Sequence, residues 1–207
     1  MATSLTLQND ASLAQGYIQV NGTTSATFTT SGITGNLVGN VTGSLTQGGS
    51  LTLATAQTAS GTSVDFTSIP SWAKRITVMF NGVSTNGTSV IQVQLGDSGG
   101  VETTSYSAMV SNVQTTLNTT RGVTATSGFI LQHAGGLSEV ILGGAAVFSS
   151  FGSNSWVCQG ALYVDAAGLN TPSGIKTLSG TLDRVRITTV NGTDTFDAGT
   201  INISYEG

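Results

Sequence analysis

Between Ala11 and Val64 the chain carries no Lys, Arg, Asp or Glu, and inside that stretch the segment 35–46, GNLVGNVTGSLT, repeats every four residues with glycines at Gly35, Gly39 and Gly43. A strand turns alternate residues to opposite faces, so a period of four is two strand repeats. One face then carries Ile33, Gly35, Leu37, Gly39, Val41, Gly43 and Leu45, and the other carries Thr34, Asn36, Val38, Asn40, Thr42, Ser44 and Thr46. Apolar side chains therefore alternate with bare backbone along one edge. Glycine within a strand costs conformational entropy and packs nothing, so its recurrence predicts that another backbone comes close. A thin segment has no bulk of its own with which to bury such an edge. Winding several copies about a shared axis solves this, with Leu37, Val41 and Leu45 filling the axis, and three copies suit a narrow one.

Past GGS at 48–50 the pattern changes to short alternating runs separated by turn signals, which predicts two parts: 1–50, an attachment segment and oligomeric stalk, and 51–207, a β head. Ile76, Val78 and Phe80 alternate with Thr77 and Met79; Ile91, Val93 and Leu95 alternate with Gln92 and Gln94. Further strands are expected at 127–133, 138–148, 155–164, 182–190 and 200–205, and Asn-Gly pairs at Asn81, Asn86 and Asn191 carry the hairpin signal. No run keeps a helical period over ten residues. The expected fold is all-β: an extended, intertwined amino-terminal stalk, then an antiparallel jelly-roll-like β-sandwich head, as a homotrimer.

Charge narrows the function classes. Only 8% of the 207 residues are charged, against roughly 25% in an average soluble protein, and the net charge is −4. The few bases form no stripe for duplex nucleic acid. The single cysteine, Cys158, excludes an internal disulfide framework. The opening MATS offers no basic and apolar leader, and no apolar run is long enough to span a bilayer, so the expectation is a chain made in a cytoplasm without secretion or membrane insertion. The six Asn-x-Ser/Thr sequons then read as turn chemistry.

Motifs for catalysis lack their partners. The string GDSGG at 96–100 imitates a serine-protease nucleophile, but the only histidine, His133, follows Ser98 in the chain, and no helix follows the serine to make a hydrolase elbow. An ordinary turn closing the strand through Leu95 is expected. His133 reads as a strand-end or surface residue, or more sharply as an interface group that titrates near neutrality. Asp194 with Asp197, or Asp97 with Glu102, supplies too few oxygens for calcium, and zinc has no ligand set. No catalytic residue, metal or cofactor is assigned. Surface contact instead falls to Trp72, placed in a loop after Pro70, to Tyr106 and to Asn112, while Trp156 and Tyr163 read as core.

Several stretches resemble a known family. The segments 60–87 (SGTSVDFTSIPSWAKRITVMFNGVSTNG), 95–103 (LGDSGGVET) and 178–203 (LSGTLDRVRITTVNGTDTFDAGTINI) are similar to head regions of tail-fibre and virion structural proteins of tailed bacteriophages. The segment 16–28 (GYIQVNGTTSATF) and the glycine repeat resemble phage fibre stalks. The resemblance leaves out about 105–177 and implies a particle-bound homotrimer with a distal β head and no catalytic residues. The expected partners are sister chains, other virion proteins of the tail, baseplate or capsid, and a glycan or protein receptor on the bacterial surface, with 112–122 in the receptor-contacting loops. A tail-fibre or receptor-binding protein assembled in the host cytoplasm leads this reading, a capsid decoration or head-fibre protein is its alternative, and a polysaccharide depolymerase ranks third.

Placing a charge on the proposed axis tests the stalk. Leu37→Asp or Val41→Asp is expected to weaken assembly, seen as a later size-exclusion peak than the wild type gives; an unchanged profile would count against shared burial of this edge.

Overall fold

A computed structural model describes the backbone of residues 5–10, 15–20, 23–29, 32–34, 51–114, 120–133, 141–164 and 168–207, and the side chains of those from 51 onward. The chain divides into two compact units, Met1–Ser44 and Leu45–Gly207. Every described element is a strand, and every pairing is antiparallel.

In the first unit, β1 (Leu5–Asp10), β2 (Gln15–Val20), β3 (Thr23–Thr29) and β4 (Gly32–Thr34) pair in chain order as a meander. Val20 pairs with Thr23 across an Asn-Gly dipeptide, the strongest two-residue hairpin signal. The described strands between 5 and 34 thus pair with one another, in the part read from sequence as attachment segment and extended stalk. Of the seven axial residues, Ile33 pairs with Phe28 in β4. Gly35, Leu37, Gly39, Val41, Gly43 and Leu45 lie outside the described residues.

The second unit is built from two antiparallel sheets, an arrangement compatible with a β-sandwich. The larger runs β12 (Thr120–Ala125), β11 (Ser107–Val113), β16 (Gly168–Thr177), β15 (Ser155–Val164), β14 (Leu142–Gly152), β8 (Arg75–Thr85), β18 (Phe196–Glu206) and β5 (Thr52–Leu53), with β6 (Gln57–Thr58) also on β18. The smaller runs β10 (Gly100–Val101), β9 (Ile91–Asp97), β17 (Arg184–Thr189) and β7 (Ser63–Phe66), with β13 (Phe129–Ile130) also on β9. Their inner faces supply one apolar core: Ile76, Val78, Leu142, Phe148, Leu162 and Ile203 from the larger sheet meet Val93, Leu95, Phe129 and Ile187 from the smaller. The alternation in 75–80 and 90–95 therefore marks burial correctly on one face. Gln92 and Gln94 are buried as well, because the 126–128 connection covers them: Gln94 Nε2 donates to the Ser127 carbonyl at 2.9 Å and Gln92 Oε1 accepts from Ser127 Oγ at 3.1 Å.

The three Asn-Gly signals at Asn81, Asn86 and Asn191 have roles other than the hairpins expected of them; Asn86-Gly87 links β8 of the larger sheet to β9 of the smaller. Asn81-Gly82 lies inside β8, where the pairing with β18 shifts register, and Gly82 uses its φ of +66° in that bulge. Asn191-Gly192 turns the chain from β17 in the small sheet to β18 in the large one, so it is a corner between sheets. Tyr163, read as core from its strand, faces outward and is 57% exposed.

Across the β8–β18 bulge, Gly199 has a φ of +90°, and a Cβ there would collide with the Gly82 carbonyl. Gly199→Ala is expected to lower unfolding free energy by about 2–4 kcal/mol in urea titrations, from backbone strain plus overpacking. Gly61→Ala, also at positive φ but facing open space, should cost about 1–2 kcal/mol, from strain alone. Equal losses would show that the close approach is not what selects glycine at 199.

Candidate functional site

The two ends of the larger sheet differ in chemistry. The second unit begins beside β18, where β5 pairs with Ser204 and Tyr205, and register carries that end across the sheet through Arg75, Ser149, Val157, Ile175 and Ser107. At the opposite end lie Val113, Thr120, Val164 and Gly168. Cavities occur at both ends.

At the far end, β12, β11 and β16 bring Arg121, Asn112 and Asn170 into one row on the core-facing side of the sheet. Gln114, just past β11, Gln132 and His133, just past β13, and Val164, the last residue of β15, complete the lining of a cavity of about 30 Å³. A polar row on an inward face is expensive unless its groups bond one another. Asn170, fully buried, does most of this: its Oδ1 accepts from the His133 backbone N–H at 2.9 Å and from Asn112 Nδ2 at 3.3 Å. Gln132 is 7% exposed, and among the described residues neither its Oε1 nor that of Gln114 has a hydrogen-bond partner. Chemically this is an amide cavity with a guanidinium and an imidazole in its wall.

Near the start of the unit the chemistry is ionic. Lys176, 3% exposed on β16, sits 2.5 Å from Glu102 Oε2, donates to the Thr104 carbonyl at 2.9 Å and lies over the Tyr106 ring at 5.1 Å. Glu102 Oε1 accepts from the Ser179 N–H at 2.7 Å, and Ser179 Oγ lies 2.9 Å from that oxygen and 2.7 Å from Asp97 Oδ2. Burial works to raise the Glu102 carboxyl, but Lys176 and Ser179 outweigh it and hold it below its usual range. The Ser179 hydroxyl, with the Gly99 N–H, likewise lowers Asp97. These two acids, weighed in sequence as oxygen ligands, are brought together by a serine and a lysine. Asp194 and Asp197 are separated: Asp194 accepts from Asn191 Nδ2 and the Ser89 N–H, and Asp197 from Ser84 Oγ. Among the described residues no three of His, Cys, Asp and Glu gather.

Ser98 lies in the tight turn between β9 and β10, where Asp97 pairs with Gly100 and Asp97 Oδ1 accepts from the Gly99 N–H at 2.8 Å. His133 follows β13, whose Ile130 pairs with Gln92 at the other end of β9. The five residues between place serine and histidine about 17 Å apart along the strand, far beyond proton transfer. Cys158 is buried, and burial pushes its thiol up to about 12, away from nucleophilic use.

Of the three proposed contact residues, Tyr106 is 3% exposed and Asn112 is 1% exposed. Tyr106 is a core residue: its hydroxyl accepts from the Leu95 N–H at 2.8 Å and donates to the Glu102 carbonyl at 2.9 Å. Asn112 faces inward and lines the amide cavity. Trp72 is half-buried against Tyr205, ring centroids 5.6 Å apart. Gln132 and Asn170 were not singled out in sequence, and Gln114 and Arg121 only as part of the segment 112–122. The available signal was polar residues at inward parity near strand ends, and it becomes readable only with the register.

The ionic cluster yields a directional test. Glu102→Gln leaves the buried Lys176 charge without its counter-ion and is expected to cost about 3 kcal/mol or more in urea unfolding. Lys176→Met should cost less, because Glu102 keeps Ser179 and partial solvent contact. Since the folded-state value of Glu102 is depressed, its contribution is complete above about pH 4.5, its ordinary value, and is lost as pH falls through the lower folded value. A stability profile between pH 5 and 2 that Glu102→Gln leaves unchanged in shape would refute this. No family model, curated protein or solved structure matches the chain.

Proposed function

We propose that this chain is a non-enzymatic structural fibre protein of a tailed-bacteriophage particle, a homotrimer whose jelly-roll-like head meets the bacterial surface. The single observation that carries this reading is the outward face of the larger sheet. On β11, β16, β15, β14 and β8 every outward residue is uncharged except Arg75, which stands at a corner 3.3 Å from Glu206. Met109, Val113, Tyr163, Leu169 and Ile175 are each 43–57% exposed there. Five strands at about 4.8 Å spacing and about ten residues long make a face of roughly 800 Å², the area that each partner buries in a standard stable complex. A neutral face of that size can meet its own copy without like-charge repulsion, which favours a multi-copy assembly over a lone chain. The glycine-spaced segment 33–45 supplies a second shared surface along the proposed stalk.

Hydrolytic roles find less support. Every acid whose side chain is described is already engaged: Asp65 with Arg186, Asp183 with Arg184, Glu206 with Arg75, and the remaining four by the bonds above. A glycosidase needs one carboxyl held protonated and another free to attack or activate water. Contact with the host by many weak contacts, multiplied over copies, needs neither.

Gold-labelled antibody against the full-length protein, imaged on intact particles, should decorate the tail tip. Label on the capsid would select the head-fibre alternative, and particles without label would overturn both. Host polysaccharide incubated with excess protein should release no reducing ends; release would restore the depolymerase reading.

A further inference from the structure

The amide cavity is chemically incomplete. A buried acceptor without a partner costs about 1–3 kcal/mol, and native chains leave few of them, yet the Gln114 and Gln132 carbonyl oxygens both lack one among the described residues. At about 30 Å³ the cavity exceeds the roughly 10–15 Å³ that admits one water-sized group. What enters must hydrogen-bond to the glutamine amides. An ammonium would do so, but it would sit beside the Arg121 guanidinium. A hard cation needs about six oxygens, preferably anionic, and no carboxylate lines the wall. A hydroxyl meets every requirement: it donates to a glutamine oxygen and accepts from Arg121 or the His133 ring. Turning either amide over exchanges the open acceptor for an open donor, and a hydroxyl satisfies that too.

We infer that the cavity binds the hydroxymethyl arm of a neutral hexose, its oxygen seated between Gln114 and Gln132 and its sugar ring outside. The arm is the one part of a hexose slender enough for the space. This goes beyond the fibre reading and rests on it only for the source of the sugar, a cell-surface polysaccharide. The geometry stands without that reading.

Ligand-observed saturation-transfer NMR on the full-length protein tests it, with glucose, galactose, mannose and their 6-deoxy forms as probes. The expected result is transfer to at least one hexose at about millimolar affinity, strongest at the hydroxymethyl protons, and loss by about tenfold or more in its 6-deoxy form and in Gln132→Met. Methionine keeps the volume and removes the open oxygen, so the thermal midpoint should hold or rise. Should Gln132→Met fail to fold, Gln114→Met carries the same expectation from the other wall. No transfer from any hexose at up to about 50 mM, or equal transfer in wild type and variants, would overturn the assignment and leave the cavity to water. Adhesion of labelled protein to host cells is measured separately. Hexose binding without adhesion would sink the host-contact reading alone, and adhesion without hexose binding would sink the sugar site alone.

Discussion

The second unit depends on three contacting aromatic rings that join its sheets. Tyr106, at the approach to β11 in the larger sheet, meets Phe129 of the smaller sheet edge-on at 5.1 Å, and Phe129 meets Phe148 of the larger at 5.3 Å. Such pairs are each worth about 0.5–1.5 kcal/mol beyond the area they bury. The polar tip of Tyr106 is what fixes the arrangement. Its hydroxyl binds the backbone of β9 and of the 102–106 connection, and burial raises its ionisation well above the ordinary phenol range. Lys176 over the ring and Glu102 beside it then tie β16 to the same point. A fold with so few charges spends several of them here, where a buried cation is satisfied by a carboxylate, a carbonyl and a π face together.

That concentration of ion pairs explains the neutrality elsewhere. Asp65 with Arg186 and Asp183 with Arg184 occupy the small sheet and its approach, and Arg75 with Glu206 the corner of the large one. The broad outer face is left to Ser, Thr and aliphatic side chains, a surface that costs little to dehydrate against another protein. At the far end four amides, which hydrogen-bond in either sense, line the cavity together with Arg121 and His133. One end therefore holds the unit together, and the other has unspent hydrogen-bonding capacity.

The strands that were legible from sequence were those with clean alternation: Arg75–Thr85, Ile91–Asp97, Ser155–Val164, Arg184–Thr189 and the carboxy-terminal strand, which begins earlier than expected, at Phe196. Those that escaped, Ser107–Val113, Thr120–Ala125 and Gly168–Thr177, carry few β-branched residues at regular spacing or contain a breaker. Pro172 is the sharpest case. It lacks an N–H yet lies in a strand paired on both sides, because the ladder with β15 lapses between Gln159 and Leu162, and Gly160 leaves room for its ring, a Cβ there falling 3.1 Å from Pro172 Cγ. Proline and glycine each read locally as turns; only together do they read as a close-packed lapse in a sheet.

By itself, then, the sequence determined the class of the chain: all-β, antiparallel and sparing in charge. Periodicity and composition act over a few residues, and that range suffices for these properties. Tertiary structure decided which side of each residue faces water. Tyr106 became a core hub, Tyr163 a surface residue and Asn112 the wall of a cavity, because register between paired strands assigns the faces, and the partners lie as far apart in the chain as Asn112 and Asn170. The grouping of Gln114, Arg121, Gln132 and Asn170 has the same origin: pairing across three strands makes neighbours of residues that no spacing along the chain connects.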